Sequence, residues 1–202
     1  VAVEPRIGLS YVLNDRSNLN LAYGLHSNLQ PLLLYFYQTQ NPNGSYSLTN
    51  KDLGFTRSHH IVLGYECNLT ENLRLKVETY YQSLFDVPIE KTSSFYSVLV
   101  EGADFNPINK DNLVNKGTGR NYGIEMTLEK YFSNNYYFLV TGSLFDSKYK
   151  GSDGVERNTP FNGHYVFNVL AGKDILIGRR NNVLSINWKL TSAGGRYVRP
   201  IN

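Results

Sequence analysis

The sequence predicts an all-β fold, an antiparallel meander of about eight long strands. Three observations predict it. Apolar and polar residues alternate in eight separate stretches, short and long polar connections follow in strict rotation, and several stretches outrun an ordinary strand. Neighbouring side chains on a strand point to opposite faces, so alternation in twos marks a strand with one apolar and one polar face.

The clearest pair runs from His59 to Phe85. Ile61, Leu63, Tyr65 and Cys67 share one face, with His60, Gly64 and Glu66 opposite. Leu73, Leu75, Val77, Thr79 and Tyr81 then alternate with Arg74, Lys76, Glu78, Tyr80 and Gln82. Helical spacing would mix Leu with Arg and Glu on one side. The break at 68–72 is short enough to close an antiparallel hairpin. The second arm alternates for about ten residues, beyond the ~5–6 of an ordinary strand and close to the ~9–11 that a tilted strand needs to cross a bilayer.

The same reasoning places strands near 6–13, 19–26, 59–67, 73–84, 120–131, 136–145, 164–173 and 183–191. Ile7, Leu9, Tyr11 and Leu13 form the apolar row of the first, and Leu19, Leu21, Tyr23 and Leu25 that of the second. Tyr122, Ile124, Met126 and Leu128 serve the fifth, Tyr136, Phe138, Val140 and Leu144 the sixth. Tyr165, Phe167, Val169 and Ala171 serve the seventh, and Leu184, Ile186, Trp188 and Leu190 the last. The polar segments 27–57, 86–116 and 146–163 are expected to be long loops, the first holding an apolar knot from Leu32 to Tyr37. Antiparallel order puts all three at one end and the short turns at the other, the arrangement of barrels that cross an outer membrane. In a soluble domain, structureless loops of this size would count against the strands.

Composition narrows the class further. The hydrophobic fraction is 41% and the mean hydropathy −0.35. No apolar run approaches the ~20 residues of a membrane helix, whereas a membrane barrel needs an apolar residue only at every second position. Sixteen Tyr, ten Phe and one Trp are present. Tyr65, Tyr81, Tyr122, Tyr136 and Tyr165 fall toward the ends of apolar rows, where the aromatic girdles of a barrel lie. The net charge of +3 comes from nearly balanced acids and bases, so no nucleic-acid partner is expected. One Cys excludes an internal disulfide and an all-Cys metal site. The opening Val-Ala-Val-Glu-Pro and the closing Arg-Pro-Ile-Asn read as mid-chain sequence, so both ends are expected to be cut.

The polar rows carry the candidate site. Arg74, Lys76, Glu78, Glu125, Asn187 and Lys189 are expected to face a watery lumen. Leu75, Val77, Ile124, Met126, Phe138, Leu184, Ile186 and Leu190 are expected to face lipid. Eight strands can close a narrow barrel filled by its own side chains. Packing these charges into a dry bore would require matched partners for each, so the first and last strands are expected not to pair. One alternative is a soluble ligand-binding β-barrel with its apolar rows turned inward. A less favoured one is an outer-membrane barrel enzyme using His26, His59 and His60 near the rim.

Chemical motifs are sparse. The glycines of Gly117-Thr118-Gly119-Arg120-Asn121-Tyr122-Gly123 have the wrong spacing for a dinucleotide turn and open a strand. Adjacent His59 and His60 point to opposite faces and cannot chelate one ion. Asp104, Asn106, Asn109 and Asp111 could ligate a cation, but acidic loops are far commoner than calcium sites. No nucleophile sits in a recognisable elbow. No catalytic, cofactor-binding or metal-ligating residue is therefore expected, and no enzyme activity.

The phrases Phe55-Thr56-Arg57-Ser58-His59-His60, Glu71-Asn72-Leu73-Arg74-Leu75-Lys76-Val77-Glu78 and Asn115-Lys116-Gly117-Thr118-Gly119-Arg120-Asn121-Tyr122-Gly123-Ile124-Glu125 are shared with one family. So is Ser143-Leu144-Phe145-Asp146-Ser147-Lys148-Tyr149. With them the chain resembles the barrel of TonB-dependent outer-membrane receptors of the Bacteroidota, over essentially its whole length. The resemblance implies a 22-stranded barrel around an N-terminal plug, importing a scarce ligand (siderophore, vitamin, glycan or peptide). It implies a TonB complex in the inner membrane as energy source, acting through a plug that this chain lacks. Outer-membrane lipid and an extracellular ligand would be further partners, and it allows a surface lipoprotein. The long loops would be extracellular and the short turns periplasmic.

Overall fold

A computed structural model describes residues 1–101, 109–178, 180 and 182–197. Asp104 and Asn106 of the candidate cation group lie outside them. Eight long strands dominate. They are β1 (Arg6–Asn14), β2 (Ser17–Asn28), β5 (Thr56–Thr70), β6 (Leu73–Glu90), β7 (Leu113–Ser133), β8 (Tyr136–Lys150), β10 (Tyr165–Ile177) and β11 (Asn182–Ala193). Between them lie a helical turn α1 (Leu32–Tyr35) and the short strands β3 (Thr39–Gln40), β4 (Tyr46–Ser47) and β9 (Glu156–Asn158). A 3₁₀ turn covers Val98–Val100.

The long strands form one antiparallel meander in the order β1-β2-β5-β6-β7-β8-β10-β11, with β9 added to β8. Each pairs with its sequence neighbour among the long strands, as the alternation predicts. β1 and β11 occupy the two edges and do not pair with each other. The sheet is open.

Three tight connections have sequences that suit them. Asp15-Arg16 joins β1 to β2, Glu71-Asn72 joins β5 to β6, and Asn134-Asn135 joins β7 to β8. Asn134 and Asn135 have φ of 53° and 65°, the left-handed pair of a primed hairpin turn, which Asn tolerates better than any β-branched residue.

At the opposite end the structure corrects the expected loops. β6 does not stop at 84 but runs to Glu90, and β7 starts at Leu113, inside the segment 86–116 read as loop. Pro88 cannot donate to a ladder, so its presence argues against a strand. Register shifts between Leu84, Val87 and Pro88 absorb it, with Asp86 at φ 55°. Likewise β8 continues through 146–150, and β9 adds to it within 146–163. The knot from Leu32 to Tyr37 becomes α1, which buries Leu34 alone.

Candidate functional site

Cross-strand register fixes which side chains share a face. Lys76 stands opposite Glu66 and Thr127, Arg74 opposite Asn68 and Glu129, and Glu78 opposite Gly64 and Glu125. The register continues from Glu129 through Leu139 and Leu170 to Lys189. Arg74, Lys76, Glu78, Glu125, Asn187 and Lys189 therefore stand on one face of the sheet. Leu139 and Leu170 interrupt its charge.

Most of these charges are matched. Arg74 Nε lies 2.7 Å from Glu66 Oε1, and its Nη1 lies 3.8 Å from Glu129 Oε2. Lys76 Nζ lies 2.6 Å from Glu78 Oε2, which offsets the two carboxylates facing each other at Glu78 and Glu125. Asn187 belongs to a different arrangement. Its Oδ1 accepts from the Tyr137 hydroxyl at 3.0 Å, and the Tyr137 ring lies across Gly172. A Cβ at Gly172 would come within 2.3 Å of that ring, so only glycine lets the tyrosine lie flat on the sheet.

Nearer the long loops the same face becomes uncharged and richly hydrogen-bonded. Asn121 Nδ2 donates to Gln82 Oε1 at 2.7 Å, Ser147 Oγ donates to Asn121 Oδ1 at 2.7 Å, and Thr159 Oγ1 donates to Ser147 Oγ at 2.8 Å. His60 meets His26 and Tyr80 edge-on at 6.0 and 6.2 Å between ring centroids. His59 instead stacks between Tyr23 and Phe85 on the opposite face, as adjacent strand residues must.

A cavity of about 540 Å³ opens over this polar ladder, lined by His26, Gln30, Gln82, Asn121, Ser147 and Phe161 among others. The Ser58 hydroxyl on its wall is buried without a hydrogen-bond partner among the described residues. Sequence reasoning missed Gln82, Asn121 and Ser147 as a unit. Gln82 sat on a polar row, but Ser147 fell in the expected loop 146–163, and only the register brings three strands' amides and hydroxyls together.

The long loops roof the cavity as a packed cap. Leu34, Leu53, Tyr96, Val100, Leu113 and Tyr149 form one buried cluster. Asn50 ties it together, its Nδ2 donating to Leu34 O at 3.1 Å and Lys110 O at 2.7 Å, its Oδ1 accepting from Leu113 N at 3.0 Å. Leu99 packs over Gly119, where a Cβ would lie 2.5 Å from it.

The other face is apolar and bare. On β7, Arg120 and Lys130 bracket Tyr122, Ile124, Met126 and Leu128; the matching rows of β6 and β8 hold no charge from Ile124 to Leu128, and Asp146 stands opposite Tyr122 at the looped border. Ten residues along a strand span about 33 Å. At a barrel tilt near 40° that projects to about 25 Å, the height of an outer-membrane apolar band.

With that geometry, comparison with solved structures is decisive for the fold. The ferric yersiniabactin uptake receptor FyuA from Yersinia pestis matches 95% of this chain at a TM-score of 0.66 and 16% identity. The alcaligin outer-membrane receptor FauA from Bordetella pertussis matches 95% at 0.62 and 14%. The FrpB iron transporter from Neisseria meningitidis matches 92% at 0.59 and 12%. These neighbours are TonB-dependent outer-membrane receptors. The chain has the fold of a segment of their β-barrel. It spans 26%, 29% and 26% of their respective lengths. No protein-family model matches the sequence, and no curated protein matches it.

Proposed function

We propose that these residues form part of the barrel wall of an outer-membrane receptor of the type found in Bacteroidota. In this reading the apolar face meets lipid, and the face carrying Arg74, Lys76, Glu78, Glu125, Asn187 and Lys189 lines the lumen. The long loops are extracellular and the short turns periplasmic. β1 and β11 each pair with a further strand, since an open edge in lipid leaves backbone groups unsatisfied. The closed barrel has about 22 strands around a plug, through which a TonB complex drives import.

One observation carries this reading. A single sheet joins an exposed apolar face, bounded by Arg120 and Asp146 at one border and Lys130 at the other, to a charged face, with a cavity at its looped end. A soluble ligand-binding barrel would bury its apolar rows, yet Ile7, Leu9 and Leu144 are exposed.

The ligand is a small oxygen-rich molecule. The cavity presents amides, hydroxyls and an imidazole, with Phe161 for ring contact. The fold neighbours are named for yersiniabactin, alcaligin and iron, so ferric chelates are the first class to test. The test is accumulation of radiolabelled iron chelates by cells carrying the complete receptor. Uptake should vanish when either the receptor or TonB is deleted. Uptake that survives loss of TonB, or a receptor absent from outer-membrane fractions, would overturn the proposal.

A further inference from the structure

The polar ladder under the cavity has a direction. Thr159 Oγ1 donates to Ser147 Oγ at 2.8 Å, Ser147 Oγ to Asn121 Oδ1 at 2.7 Å, and Asn121 Nδ2 to Gln82 Oε1 at 2.7 Å. Every donor points the same way, so each bond polarises the next. The chain ends at Gln82. Accepting at Oε1 draws electron density from the other end of its amide and sharpens Nε2 as a donor. Nε2 has no acceptor among the described residues, and Gln82 lines the cavity. One rung toward the loops, Ser58 stands opposite Leu84 on the same face. Ser58 is 6% exposed, and its Oγ is likewise without a partner among the described residues. A buried polar group left unmet costs free energy, so this wall is unfinished until something supplies acceptors to it.

The same wall offers an anion nothing to pair with. Of the basic residues lining the cavity, Arg57 is one position from Ser58 and therefore carries its side chain on the other face of β5, which leaves the His26 imidazole. The lumenal cations Lys76 and Arg74 lie three and four rungs toward the short turns, already paired with Glu78 and Glu66. Glu101 is the acidic residue of the lining and has no ion-pair partner among the described residues. Neutral donors without a free cation hold an uncharged acceptor well. A multiply charged anion would surrender its hydration there without an opposite charge to replace it.

We propose that this cavity selects its ligand by charge: an uncharged chelate enters with an oxygen acceptor on Gln82 Nε2, and a polyanionic one is turned away. The inference rests on the reading above that the receptor imports ferric chelates, and it deepens that reading. Three singly charged hydroxamates neutralise ferric iron, whereas three doubly charged catecholates leave a trianion. The two chelates present similar bulk and a similar count of oxygens, so charge is what separates them. Gln82 is the specificity-determining residue, because it is the end of the ladder that faces the ligand.

The experiment uses cells whose sole ferric-chelate receptor is the complete protein, supplied with a radiolabelled neutral ferric trihydroxamate or a trianionic ferric tricatecholate. The half-saturation concentration for the trihydroxamate should be at least about tenfold lower. Gln82→Ala should raise it about fivefold with little change in maximal uptake, the loss of one hydrogen bond. Gln82→Lys sets a cation at the end of the ladder and should narrow the preference by improving tricatecholate uptake, which a merely structural defect would not do. Outer-membrane yield of heat-modifiable barrel is scored for every variant. If neither Gln82 variant inserts, the two chelates compared on the wild type decide the point. Tricatecholate taken up as well as the trihydroxamate would overturn charge selection and leave the receptor reading standing. A preference unchanged in Gln82→Lys would overturn the place given to Gln82. Uptake of neither chelate in a TonB-dependent manner would defeat the ferric-chelate reading itself, and this inference with it.

Discussion

In the middle of the wall, Ile124 is 47% exposed and Met126 41%, each with apolar neighbours on both sides along the same face. In the cap, Leu34 is 0% and Tyr149 2% exposed, packed against Leu53, Tyr96, Val100 and Leu113. The two regions use one alphabet in opposite senses. The cap closes its apolar contacts within the chain, as a small water-soluble core does. The wall leaves its contacts to be completed from outside, so its rigidity rests on backbone ladders. Among the described residues, the buried hydrophobic ones, Val87 and Ile89 included, all belong to the looped end of the molecule.

The largest expected effect breaks the cap. Leu34→Ala removes a fully buried side chain and should cost about 2–5 kcal/mol of local stability. Ile124→Ala, in the wall, should change stability by no more than about 0.5 kcal/mol. Hydrogen exchange of the complete receptor reads both, through residues 29–55 and 91–101 for the first and β7 for the second. A larger effect at Ile124 would erase the distinction between the regions.

The next effect tests the sense of the wall. Val77→Arg places a charge on the bare face, at a cost of about 2–4 kcal/mol near the bilayer midplane. Lys76→Ala, one residue away on the other face, removes only a half-exposed ion pair with Glu78, for which about 0–1 kcal/mol is expected. The yield of heat-modifiable barrel in outer-membrane fractions should fall for the first and not for the second. Equal yields would remove the assignment of the two faces.

Asn50→Ala sharpens the comparison at a smaller cost. The substitution orphans two carbonyls and one amide that the cap holds, for about 1–3 kcal/mol. Exchange should quicken in both long loops together, because Asn50 joins them, while β5 and β6 keep their protection. Loosening of the first loop alone would show that the cap is two units.

The wall was far more legible than the cap, for a physical reason. A two-residue period survives in sequence whatever the partner strand is, so Leu75, Val77, Ile124 and Met126 announce one face unaided. Their order in the sheet followed from short turns such as Asn134-Asn135. The cap obeys no period. Nothing local distinguishes Leu34, buried, from Leu32 and Leu33, exposed on the same helical turn. Asn50 in a Thr-Asn-Lys-Asp run reads as a turn residue until its partners 16 and 63 positions away are known. Pro88 misled in the same way, because the bulge that accommodates it depends on β7. On the polar face, the ladder of Gln82, Asn121 and Ser147 needed two registers at once.

The smallest effect is an electrostatic one confined to the cap. Arg157 grips Asp153 with both ends of its guanidinium, Nη1 to Oδ1 at 2.9 Å and Nη2 to Oδ2 at 2.7 Å, and Val155 N donates to Oδ1 at 3.0 Å. The guanidinium first, and that amide second, hold the Asp153 carboxyl below its ordinary value of 3.8. A carboxyl depressed in the folded state contributes stability that is fully present above its unfolded value and lost as pH falls through the folded one. Protection of residues 152–158 should therefore hold steady from neutrality down to about pH 5 and decline below about pH 4. Because Asp153 N donates to Ser94 O at 3.1 Å, the adjoining stretch of the neighbouring loop should loosen with it. The β7–β8 ladder between Ile124 and Leu128 has no titratable side chain on its bare face and should keep its protection throughout. Protection factors across a pH series, corrected for intrinsic exchange, decide the point. Asp153→Asn should flatten the acid response of the cap, and an equal acid response in the wall would show that the two regions do not unfold independently.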